Sequence, residues 1–251
     1  NVISTVDIKA NNNTNGETMY IGGIIGLYDA AISKPVTVRF ENCQFNGTIT
    51  TTKSVEALGG ILGQAQQGSE TYITNCSSSA EITCTARGIK GVGGIVGSGG
   101  VNLNPGEIIY LTGCSYTGTI NYVSDGNYDT RIGGILGNLE RGAELTGCSF
   151  TGTINADMKG KAYLAGSSTR GIGGMIGRDT APNSGYPKMN AKAILTDCVS
   201  NGRISITNSG DSESDNKSHV GQIVGLQKNT SASHVETNCT ANSTITFSYI
   251  Q

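Results

Sequence analysis

IGGILG, residues 132–137, sets three glycines among aliphatic residues and at first sight resembles a phosphate-cradling turn. Such a turn works only where a strand enters and a helix leaves, so that backbone N–H groups converge on the anion. The following stretch, NLERGAELTGCSFTGTI (138–154), is polar, glycine-broken and β-branched. It lacks the apolar residues at three and four spacing that an amphipathic helix needs, and no GK[ST] completes a P-loop.

Repetition decides the reading. The same hexapeptide returns as IGGIIG (21–26), LGGILG (58–63), VGGIVG (92–97), IGGMIG (172–177) and VGQIVG (220–225), at intervals of 37, 34, 40, 40 and 48 residues. A catalytic pocket has no use for six copies, whereas a solenoid absorbs such variable spacing in its loops. A second element follows each first one, starting at Cys43, Cys76, Cys114, Cys148, Cys198 and Cys239, always as C-x3-small-x-I. The residue before each cysteine is Asn42, Asn75, Gly113, Gly147, Asp197 or Asn238, types that accept a left-handed or turn conformation. Three positions before the cysteine stand Phe40, Ile73, Leu111, Leu145 and Leu195, with Glu236 breaking the series.

A period of two puts Cys148, Phe150, Gly152 and Ile154 on one face of a strand and Ser149, Thr151 and Thr153 on the other. VTVRF (36–40) alternates likewise, with Val36, Val38 and Phe40 inward and Thr37 and Arg39 outward. The four prolines all lie outside these segments. The expected fold is therefore all-β: a parallel β-helix solenoid of about six coils, with about three short strands per coil. The preference of parallel crossovers makes it right-handed. Residues 1–251 read as a single β-helical repeat domain, in which 1–20 form a truncated first coil and repeats begin near 21, 58, 92, 132, 172 and 220.

Composition narrows the function. A net charge of −2 and 14% charged residues, with no basic cluster, give no field for nucleic acid. No run of about 18 apolar residues offers a transmembrane segment, and NVISTVDIKA (1–10) has no signal-peptide pattern, so a signal or anchor would lie outside this sequence. The seven cysteines contain no C-x2-C pair for zinc. Six of them stack about 4.8 Å apart at one inward position, too far for unstrained disulfides, and are expected to be buried thiols.

The chain offers little catalytic vocabulary. His219 and His234 lie outside any H-E-x-x-H, G-x-S-x-G is absent, and Ser214 and Lys217 form an S-x-x-K only within a polar loop. No catalytic or cofactor-binding residue is assigned. Two acidic loops are calcium candidates, one through Asp125, Asn127 and Asp129, the other through Asp211, Glu213 and Asp215; neither carries the glycine and distal glutamate of an EF-hand, and solvated loops are the preferred reading. Outward positions of the cysteine strands carry mostly Ser, Thr, Asn and Gln, with Glu81 and Arg203 isolated, which does not build the paired carboxylates of a glycosidase groove. Thr48, Glu81, Thr119, Thr153, Arg203 and Thr244 interrupt any regular ice-binding threonine array.

The G-G-[ILM]-[IVL]-G turn followed by C-x3-G-x-I resembles the GLUG-motif repeat over about residues 21–250. It is similar to repeats of bacterial surface proteins of gut Bacteroidetes, including adhesins, haemagglutinin-like proteins and immunoglobulin A1 protease-like proteins. The resemblance implies an extracellular or cell-surface module that binds a host glycan or protein without catalysis. The alternative it implies is a carbohydrate-active β-helix, or the accessory region of an immunoglobulin A1 protease-like peptidase. The expected contacts are the inserts 121–131, 155–171, 178–193 and 205–219, with Tyr128, Tyr163 or Tyr186 as aromatics. The exposed coil ends leave both a monomer and end-to-end association open.

Overall fold

The structure is a computed structural model that describes residues 1–11, 19–28, 36–52, 54–65, 69–85, 89–99, 108–124, 130–140, 142–158, 170–179, 193–208, 219–227 and 235–249. Every described element is a β-strand, and every strand pairing is parallel. The strands form five sheets, each running the length of the molecule, in which every strand pairs with its equivalents in the coils before and after. The protein is thus a parallel β-helix.

One coil shows how five ladders arise from three strand-forming segments. The IGGIIG segment gives Tyr20–Gly22 (ladder 1) and Ile25–Tyr28 (ladder 2), bent apart at Gly23 and Ile24. Val36–Glu41 forms ladder 3. The cysteine segment divides into Gln44–Phe45 (ladder 4) and Thr48–Thr51 (ladder 5). Six coils follow this plan, and Ile3–Ser4 and Asp7–Ala10 add ladders 4 and 5 of a partial coil ahead of the first.

The corner between ladders 3 and 4 lies at the residue before each cysteine. Asn42, Asn75, Asp197 and Asn238 adopt φ of 51 to 53°, and Gly113 and Gly147 adopt φ of 61°. This left-handed step turns the chain by one residue, and only glycine or a short side chain that bonds locally tolerates it at low cost. The core then assembles by register. Phe40, Ile73, Leu111, Leu145 and Leu195 stack in one inward file, and Ile49, Ile82, Ile120, Ile154 and Ile204 in another, all buried.

The cysteines from Cys43 to Cys198 are buried and Cys239 is half-buried; all are free thiols. Each of the six repeat cysteines, which exclude Cys84, donates a weak hydrogen bond from Sγ to the carbonyl two residues back, as from Cys148 to Thr146 (3.7 Å) and Cys198 to Thr196 (3.4 Å). Cys114, Cys148 and Cys198 also reach a carbonyl of the preceding coil, at Ile73, Leu111 and Leu145.

Burial is not uniform round the coil. In the second to fifth coils ladders 1 and 2 are buried on both faces, whereas ladders 3 to 5 alternate buried with exposed or half-buried residues. The open walls of the solenoid are therefore the outer faces of ladders 3, 4 and 5.

Candidate binding surface

The loop residues singled out from sequence lie outside the described structure: Asp125, Asn127, Tyr128 and Asp129; Tyr163; Tyr186; and Asp211, Glu213, Ser214, Asp215 and Lys217. His234 does too. Among the described residues no three His, Cys, Asp or Glu side chains come together as a metal site. His219 is half-buried, and its Nδ1 lies 3.1 Å from the Arg170 carbonyl; burial lowers its pKa and keeps the ring neutral near pH 7.

Ladder 3 carries the most distinctive open face. Parallel register places Arg39, Tyr72, Tyr110, Glu144, Ile194 and Val235 in one outward file, one residue per coil. The Arg39 guanidinium sits 4.3 Å over the Tyr72 ring, and Tyr72 stacks on Tyr110 with centroids 4.7 Å apart and planes 8° from parallel. That separation equals the rise of one coil, so the sheet itself sets the stacking distance. Tyr72 Oη donates to Glu70 Oε2 at 3.2 Å. Both phenols are pushed above the ordinary tyrosine value, first by desolvation and then by the neighbouring carboxylates, chiefly Glu70 for Tyr72 and Glu144 for Tyr110. They remain protonated at neutral pH; Tyr72 Oη, its O–H given to Glu70, is left as an acceptor, and Tyr110 Oη offers both donor and acceptor.

Two residues along, the next outward file reads Glu41, Thr74, Thr112, Thr146, Thr196 and Thr237. Five successive rungs therefore present a threonine hydroxyl beside the aromatic file. The remaining outward positions are Thr37, Glu70, Ile108 and Gly142. Ile194 and Val235 are 36% and 41% exposed, so the far end of the central file is apolar.

The face was within reach of the sequence. Counting back four residues from each repeat cysteine gives Arg39, Tyr72, Tyr110, Glu144, Ile194 and Val235, and counting back two gives the glutamate and five threonines. The alternation of VTVRF already set Arg39 outward. The file mixes a cation, two aromatics, an anion and two aliphatics, so no single residue type marks it in the sequence.

The two outward files that run through all seven strands of ladder 5 are polar. One file runs Asp7, Thr48, Glu81, Thr119, Thr153, Arg203, Thr244, and the next Lys9, Thr50, Thr83, Asn121, Asn155, Ser205, Thr246. Many of its groups are already engaged with each other, as in Thr48 to Asp7 (2.7 Å), Asn155 to Asn121 (2.9 Å) and Thr246 to Ser205 (3.2 Å). A ligand there would compete with bonds the sheet has made.

A third polar group is structural. Glu140 Oε1 lies 3.3 Å from Arg131 Nη1 and 3.7 Å from Arg178 Nη1, and accepts from Asn138 Nδ2 at 3.2 Å. Asn138 Nδ2 also reaches Ser98 Oγ at 3.4 Å. One carboxylate thus ties the fourth coil to the fifth through two buried guanidiniums.

Taken together, the fold and its open faces define a repeat protein built as a parallel β-helix. The family model of the GLUG motif matches residues 128–155. Over 204 residues the chain is 27% identical to halomucin of Haloquadratum walsbyi (strain DSM 16790 / HBSQ001), a match covering 80% of this chain and 2% of that relative. The chain thus spans about 2% of the length of the curated relative it matches. No solved structure gives a significant match. The motif, the relative and the six-fold hexapeptide together support a GLUG-repeat protein. No described helix is long and apolar enough to cross a membrane.

Proposed function

We propose that this chain is a non-enzymatic module of an extracellular or cell-surface repeat protein, and that it binds a host glycan or protein. The single observation that carries the reading is the arginine–tyrosine–tyrosine stack with its parallel threonine row on ladder 3. Pre-ordered aromatic and hydroxyl groups on a rigid sheet bind with little loss of side-chain freedom. The likeness to halomucin supports the location. The inserts between the core elements would tune the choice of ligand.

Binding needs no cofactor in this reading. Calcium titrated into the purified chain is expected to give neither heat nor a change in Tm; a clear response of either would assign the acidic loops a metal role. The main test pairs a glycan and protein array with peptidase and lyase assays on the same preparation. Binding without turnover supports the module, while turnover of a bound glycan or of immunoglobulin would replace it with the enzymatic alternative.

A further inference from the structure

We propose that the outer face of ladder 3 is a track for a neutral, linear polysaccharide lying along the solenoid axis; this rests on the binding-module reading above. Three features of the face select that ligand. The first is period: each coil presents one central-file side chain and, over five consecutive coils, one threonine hydroxyl, at a spacing of about 4.8 Å. An extended sugar chain advances by a similar length per residue, so successive residues meet equivalent groups. A peptide strand laid along the same axis, at about 3.3 Å per residue, would fall out of step within two residues.

The second feature is chemistry. The stacked Tyr72 and Tyr110 have their facing surfaces occupied by each other, and the other face of Tyr72 is covered by Arg39. What they present is ring edges and hydroxyls, next to the Thr74 and Thr112 hydroxyls. Ile108, Ile194 and Val235 supply apolar patches for the C–H surfaces of sugar rings. The third is charge. This face carries one arginine and three glutamates (Arg39, Glu41, Glu70, Glu144), and the guanidinium is engaged over Tyr72. Uronate, sialate or sulfate groups would be repelled, which leaves a neutral polyhydroxylated chain.

The test is isothermal calorimetry of the whole chain against neutral linear polysaccharides (mannan, β-1,3-glucan, β-1,4-glucan oligomers), acidic ones (polygalacturonate, alginate) and polylysine. The expected result is binding to a neutral polymer, with affinity rising with oligomer length until the six rungs of ladder 3 are spanned. Kd should change less than about twofold when salt is raised tenfold. Tyr110→Phe and the isosteric Thr112→Val and Thr146→Val should each weaken it by roughly 3- to 10-fold with Tm unchanged, since each deletes one hydroxyl contact. Thr119→Val, on ladder 5, should not. Preference for acidic polymers, salt-sensitive binding of polylysine or a protein, or neutral-glycan binding untouched by the ladder 3 variants would overturn the track and leave the module standing. Absence of binding to every glycan and protein would remove both.

Discussion

At the residue scale the hexapeptide glycines are conditions of packing. A Cβ on Gly134 would overlap the Phe150 ring and the Gly174 carbonyl, and one on Gly133 would overlap the Leu136 carbonyl. Gly147 differs: nothing lies near its missing Cβ, and only its φ of 61° constrains it. Gly134→Ala should therefore cost about 3 kcal/mol in urea denaturation, because overpacked rigid neighbours cannot withdraw. Gly147→Asn should stay within about 0.5 kcal/mol, since three other coils use asparagine at that corner. The thiols give a pH prediction. Burial pushes Cys76 up to about 11 and Cys84 up to about 12, and Cys148 rises to about 12, chiefly through its hydrogen-bond partnership with Cys114. A raised folded-state value means that the unfolded chain ionises first as pH climbs, so this stability is full below about pH 8.5 and is lost between there and about pH 12. Melting temperatures should be level from pH 7 to about 8 and then fall. At pH 8 iodoacetamide should label Cys239 well ahead of the five buried repeat cysteines.

At the element scale, strands only two to six residues long hold together because those of the inner coils are paired on both edges by their counterparts in neighbouring coils. Much of this was legible: period-two alternation gave the inward files, and residue type gave the corner before each cysteine, observed at φ of 51 to 61°. The division of the hexapeptide into two ladders was not, because glycines on both sides of the bend erase the alternation that marks a face. The Arg131–Glu140–Arg178 bridge was hidden for a different reason. Glu140 lies just past the ladder 2 strand Leu136–Leu139, outside the repeated pattern, and its partners sit in two different coils. Glu140→Gln leaves two buried guanidiniums short of their shared anion and should destabilise the protein by about 2 kcal/mol, less than a fully buried pair because a quarter of the Glu140 side chain is exposed. Phe150→Ala, which empties a fully buried site stacked on Tyr116, should cost about 3–5 kcal/mol. Chemical denaturation of the two variants separates these losses.

At the scale of the whole molecule, contacts run from each coil to the next, so cohesion is nearly one-dimensional. The sixth coil departs from the others: Glu236 takes the place of an inward aliphatic, and Gln222 takes the place of a glycine. Gln222 Nε2 donates to the Ser243 carbonyl at 2.7 Å, while Ser243 Oγ lies 2.7 Å from Ser200 Oγ. Its residues 235–238 are all exposed, whereas the corresponding strands of the middle coils bury alternate residues completely. Hydrogen exchange should therefore be slowest for ladder amides of the third and fourth coils and fastest in the sixth. Uniform protection from end to end would mean that the rod opens as a single cooperative unit.

Register that is kept in all five ladders, apart from one irregularity between Ile89 and Val92 in ladder 1, also bears on how such a molecule can change over generations. A coil meets its neighbours through the same pairing whichever coils they are, and Tyr116 beside Phe150 shows that even the bulkiest core residues accept one another in adjacent rungs. A stretch of gene encoding one whole turn could therefore be copied or dropped in frame and still find matched edges above and below. Rod length becomes a quantity that recombination can adjust in steps of about 4.8 Å, leaving point substitutions to alter the outward files.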